Sequence, residues 1–281
     1  MTMRKLERPQ RSVEEVFVRC AKSFRNPLQT KLLGVTADIV ASAADFDVAA
    51  AASRLDLFPR NPQVGAHVSK QEMVDVYEKK FARKGSVGRS VYEALLAAPP
   101  HGICPLCGQR IASTLDHHLP KGEYPALAVT PCNLVPACSD CNFAKLEQYP
   151  TSEEEQTIHP YFDDFDGEVW VVAEVLELNP PALLFAARPP VHWTPVKAER
   201  AKRHFTVFGL AKLYGAHAVE ELRSIEHYVV GLLKRGGPAE LRSFLEEQAA
   251  SRGSAHRNSW QAATYRALAA STWYCTGTWA L

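Results

Sequence analysis

Cys104-Pro-Leu-Cys107 and Cys138-Ser-Asp-Cys141 are two C-x2-C knuckles with 30 residues between them, the tightest constraint anywhere in this 281-residue chain. A two-residue spacer lets one turn aim both sulfurs at a single ion, and two such pairs supply the four thiolates of a tetrahedral zinc site. Gly108 directly follows the first pair. Two unrelated pairs of buried thiols are the bland alternative. A redox pair is disfavoured because no βαβ pattern surrounds either knuckle. Four protein ligands leave no open coordination position, so the expected Zn2+ is structural. Cys132 lacks a partner in either knuckle and reads as a small buried side chain, while Cys20 and Cys275 carry no motif.

Hydrophobic residues make up 46% and charged residues 22% of the chain, which excludes disordered, fibrous and disulfide-stapled classes. No apolar run reaches the roughly 20 residues of a membrane helix. The charged N-terminus leads into no apolar segment, so no secretory signal and a cytoplasmic location are expected. The net charge of +1 is unevenly distributed. Residues 1–100 hold 16 basic and 11 acidic side chains, 101–165 hold 3 and 9, and 166–281 hold 13 and 11. Solvated helix faces vary in this way by chance; the functional alternative is an acidic, metal-binding centre flanked by arms for a polyanion.

The fold class expected is α+β, in three regions. Residues 1–99 read as helical. Ser12 and Glu15 open a capping-box helix whose Val16, Cys20 and Phe24 form a stripe that Asn26-Pro27 stops. Further helices are expected over about 34–54, over 70–81 with Met73, Val76, Tyr77 and Phe81 on one side, and over 90–97. Residues 100–165 are dense in Cys, His, Pro and Asn. Residues 166–281 open with a β-hairpin around Asn179-Pro-Pro. Helices follow over about 196–214, 217–235, 238–251 and 258–274.

Between the knuckles lie Thr114-Leu-Asp-His-His-Leu-Pro-Lys121 and Asn133-Leu-Val-Pro-Ala137, and the second knuckle runs on into Asn142-Phe-Ala-Lys145. This stretch resembles the HNH endonucleases, whose ββα-metal finger follows the pattern C-x2-C, D-H-x-x-P-K, N-L-x-x-x-C-x2-C-N-x2-K. The resemblance covers about 45 residues, Cys104 to Lys145, and neither flank. It implies that Asp116 ligates a catalytic Mg2+ or Mn2+, that His117 is the general base, and that Asn133 braces the loop carrying them. Asn142 stands where many members have histidine, which makes it a neutral oxygen ligand. The resemblance further implies 5′-phosphate and 3′-hydroxyl products.

The residue chemistry agrees. A carboxylate and an amide oxygen suit a hard divalent cation, and imidazole is the natural base near neutral pH. A helix over about 139–149 places Asn142, Lys145, Leu146 and Tyr149 on one face. Lys121 and Lys145 are the expected phosphate contacts. In a regular strand Asp116 and His118 would share a face and His117 would point away, so an irregular strand end is expected with His117 as the base and His118 as packing. His159 reads as a loop histidine held by its surroundings. The basic run Lys197–His204 is a solvated helix start or a phosphate-tracking face. The five tryptophans read as packing residues.

The leading expectation is a metal-dependent endonuclease acting on DNA, with RNA not excluded, a regulatory protein partner conceivable and no membrane involved. A defence or restriction setting accords with the resemblance. A non-catalytic nucleic-acid-binding module and a protein–protein scaffold built on the zinc knuckles are the alternatives.

Overall fold

The computed structural model describes residues 5–280 except 62 and 66. Helix α1 (Val13–Ala21) starts where Ser12 Oγ accepts from Glu15 N, with Glu14 and Glu15 at its positive end. It buries Val16, Phe17 and Cys20 and stops three residues short of Phe24, which packs at the edge of the core. Pro27 ends no helix. It opens α2 (Leu28–Leu33), because proline is tolerated where the first N–H groups have no partner. Then comes α3 (Thr36–Ala51), the alanine-rich helix expected over about 34–54, with α2 an additional helix ahead of it.

A short hairpin, β1 (Gln63–Val64) with β2 (Val68–Ser69), leads into α4 (Lys70–Asp75). Ser69 and Glu72 cap that helix reciprocally. The chain then widens into a π-helical segment, Val76–Ala82, which periodicity alone did not reveal. Gly88 seats this segment against α5 (Arg89–Leu96), since a Cβ there would come within 2.9 Å of Phe81 Cα.

Strand β3 (Thr114–His117) pairs antiparallel with β4 (Leu134–Ala137), and α6 (Ser139–Lys145) follows at once. Leu115, Ala128, Val129 and Leu134 share one core with Val16, Phe17, Leu32, Met73, Phe81 and Tyr92. The N-terminal and middle regions are therefore one compact unit, which runs to Asp164, because neither buries its apolar face alone. A satellite cluster contains Phe46, Leu55, Leu119, Tyr124, Leu127 and Cys132.

The second unit runs from Phe165 onward. Its hairpin pairs β5 (Val171–Leu176) with β6 (Ala182–Ala187), Val171 opposite Ala187. Helices α7 (Pro195–Val207), α8 (Leu210–Ala255), α9 (Trp260–Ala270) and α10 (Thr272–Cys275) follow. The expected break at Gly215 falls instead at Gly209, which takes φ +59°. The break at Gly237-Pro238 is a kink inside α8, with Gly237 at φ +70° and ψ −164°. Trp170, Trp193, Trp260 and Trp279 are buried and Trp273 is half-buried. The architecture is mixed helix with small antiparallel sheets, an α+β arrangement. Among the described residues no helix is long and apolar enough to cross a membrane.

Candidate metal centre and the adjoining strand–helix site

The first knuckle is a turn closed by Gly108 N on Cys104 O (2.8 Å) and Cys104 N on Arg110 O (2.7 Å), with Gly108 at φ +62°. The second knuckle is the first turn of α6, where Cys138 stands at the N-cap. The four sulfurs of Cys104, Cys107, Cys138 and Cys141 lie within 4.8 Å of one another, and all four residues are buried. Zn–S bonds of about 2.3 Å demand sulfurs roughly 3.8 Å apart, so the cluster is positioned to bind a metal and fits zinc by donor type. Cys107 Sγ accepts from Arg110 N at 3.5 Å and Cys138 Sγ accepts from Cys141 N at 3.4 Å, bonds that favour thiolates. The Cys107 thiol is held far below the ordinary range, first by its hydrogen bond with Cys104. Arg110, beside the first knuckle, pairs at 2.8 Å with Asp140, inside the second. Among the described residues no other group of three or more His, Cys, Asp or Glu side chains converges in this way.

The cluster anchors the N-terminus of α6, and α6 lies against β3. Asn142 Nδ2 reaches Thr114 Oγ1 at 3.5 Å, two residues along the strand from Asp116. Lys145 Nζ sits 3.4 Å from Asp116 Oδ2 and donates to His117 O at 2.7 Å. Thr114 and Asp116, sharing one face of the pleat, thus meet Asn142 and Lys145. Asp116 is 4% exposed, and burial raises its carboxyl to about 6 against the opposing pull of Lys145. Lys145 is directed inward onto Asp116 and backbone rather than outward to a phosphate. Helix α6 ends at Lys145, with Leu146 at φ +49°. Leu146 and Tyr149 therefore leave the expected helical face, and the Tyr149 ring packs on Tyr124 and under the Arg60 guanidinium.

β3 keeps its regular pairing through His117, opposite Leu134, so the expected irregular strand end does not occur and His117 points to the other side of the strand. Its Nε2 lies 2.9 Å from Ala128 O, and its ring centroid is 4.4 Å from that of Tyr77. Burial lowers its imidazole to about 3. Asn133, wholly buried, closes the loop between: Oδ1 accepts from Leu119 N at 2.8 Å, and Nδ2 donates to Leu119 O at 2.9 Å and Leu127 O at 3.3 Å. His118 N donates to Asn133 O, and its ring lies tilted against that of buried His159, 4.1 Å between centroids. Lys121 is partly exposed, 3.8 Å from Glu78 and over the Tyr77 ring.

The strand–helix pair thus brings Asp116, Asn142 and Lys145 together and places His117 across the strand. Sequence reasoning missed Tyr77, Thr114 and the Ala128 carbonyl. Tyr77 stood on the expected helix face without a role, and a backbone carbonyl leaves no signature in side-chain identity. In the basic run on α7, Lys202 is exposed and pairs with Glu199 at 2.6 Å. Arg200 and His204 are buried, and Lys197 Nζ lies 4.1 Å from the Trp193 ring centroid.

No family model matches the chain, and no solved structure matches it. The chain is similar to Protein ea31 of Escherichia phage lambda, at 32% identity over 193 residues. The match takes in 66% of this chain and 64% of that protein, so less than two thirds of the phage protein's length is spanned.

Proposed function

We propose that this protein is a metal-dependent endonuclease of the HNH type that hydrolyses phosphodiester bonds in DNA. The observation that carries the reading is the strand–helix pair anchored at a four-cysteine cluster, with Asp116 facing Asn142's helix and a buried imidazole on the adjoining residue. The structural zinc belongs to that cluster.

Asp116 and Asn142 would hold the catalytic Mg2+ or Mn2+. Their donor set fits a hard cation: a carboxylate, and an amide whose N–H is spent on Thr114, leaving its oxygen for an ion. When bound, the ion supplies positive charge beside the phosphate and the departing oxygen. His117 receives the proton. With Nε2–H donating to Ala128 O, Nδ1 is the bare nitrogen. As the water oxygen bonds to phosphorus and the P–O3′ bond breaks, the water proton passes to Nδ1 and the departing O3′ takes a proton from solvent water, leaving a 5′-phosphate and a 3′-hydroxyl. Asn133 keeps Leu119 and Leu127 together, fixing the loop whose Ala128 orients the imidazole. Lys121, at the edge of this site, is the side chain for an incoming phosphate.

The test is incubation of zinc-loaded protein with supercoiled plasmid and Mg2+ or Mn2+, alongside Asp116→Ala. Nicking by wild type and none by the variant is expected. DNA binding without cleavage under every divalent ion tried would favour a binding module instead.

A further inference from the structure

Tyr77 lies 27 residues before the first knuckle, outside the stretch that carries the resemblance. It sits in the π-helical segment, a local widening often found where a side chain must be placed against the helical register. Its ring meets that of His117 in a T-shape, at 4.4 Å between centroids and 67° between planes. Its hydroxyl donates to Leu115 O at 3.5 Å, on the same strand as His117, and Phe81 stacks behind it at 5.7 Å. The imidazole is thus pinned at one nitrogen by a loop carbonyl and along its ring by an aromatic side chain.

Resting on the nuclease reading above, we infer that Tyr77 is the positioning residue for His117: its ring fills the space beside the imidazole and holds it with Nδ1 toward the reacting water. A misplaced general base slows the proton transfer and leaves the phosphate contacts alone, so the contact acts on the rate of the chemical step and not on substrate binding.

Tyr77→Met fills the space without a ring, and Tyr77→Phe keeps the ring without the hydroxyl. Two readouts apply: kcat and KM for plasmid nicking, and the His117 tautomer from side-chain 15N signals of protein without DNA. The expected result is that Phe matches wild type in both. Met should lower kcat by about 10- to 100-fold at unchanged KM, and His117 should lose its single Nε2–H form. A folded, zinc-bound Met variant with wild-type kcat and an unaltered tautomer would overturn the inference. So would a Phe variant as impaired as Met, because the ring would then not be the agent, and this arm stands even if Met does not fold. If wild type itself never cuts, the nuclease reading fails, while the tautomer measurement still decides whether Tyr77 orients His117.

Discussion

His117 and His118 are adjacent in sequence and opposite in surroundings, and each surrounding makes its own prediction. His117 meets a carbonyl and an aromatic ring, whereas His118 lies tilted against the His159 ring. His117→Ala should lower nicking by about 10²–10⁴-fold with zinc content and DNA affinity retained, as removal of a general base does. His118→Ala should cost stability and little cleavage, so a plasmid assay paired with urea unfolding separates them. The pH behaviour is shaped by the Asp116–His117 pair. His117, lowered from 6.5 to about 3, stays neutral in the fold; its contribution is present above pH 6.5 and lost as pH falls. Asp116, raised from 3.8 to about 6, is the reverse: its contribution is present below pH 3.8 and lost as pH rises through 6. Between pH 4 and 6 the two slopes oppose. Asp116→Asn should therefore expose the histidine's slope, so that without added divalent ion the variant loses about 1.4 kcal/mol relative to wild type for each unit by which pH falls over that range. Parallel urea titrations at pH 4, 5 and 6 measure the difference; parallel curves for the two proteins would contradict it.

The elements show which parts of the site were legible in the sequence. The knuckles were legible because ligand spacing is a local property, and α6 was placed because its second knuckle doubles as its first turn. Its end was overestimated by four residues, since Leu146 at φ +49° breaks a pattern that periodicity continues. The strand pair was legible by resemblance, but the role of Tyr77 was not, because a contact across 40 residues of chain leaves no periodic trace. The π-helical widening was equally hidden: the apolar spacing at Met73, Val76, Tyr77 and Phe81 suits an α-helix just as well. From α6 comes a prediction at this scale. Cys138 caps the helix and contributes one sulfur to the cluster, so Cys138→Ser should release zinc and unfold the module, since structural zinc contributes roughly 10–16 kcal/mol of apparent binding energy. Circular dichroism with elemental analysis checks this; a folded, zinc-free variant would show that the sulfurs are only buried thiols.

Each of the two units has its own buried side chains. The first relies on the core that joins α1, α5, β3 and β4, and the second buries Trp170, Phe185, Tyr214, Leu241 and Tyr265. Only the first contains the four-cysteine cluster. A chelator strong enough to strip zinc should therefore lower the transition of one unit and leave that of the other in place, which differential scanning calorimetry would read as two peaks moving apart. A single transition moving as a whole would mean that the units melt together. That residues 1–99 share a core with the middle was not legible in the sequence, because Val16 and Leu134 fall in one core only through the folded chain.

The joined knuckles have a further consequence for the connectivity of the molecule. With an ion bound to the four sulfurs and Arg110 paired to Asp140, residues 108–137 become a closed ring rather than an open segment. A peptide bond broken anywhere in that ring would leave two pieces still tied at its neck, and only withdrawal of the ion would let them part. The candidate base and its supporting asparagine both belong to the ring, so their spacing is set by a circumference of fixed length and not by the free ends of a chain.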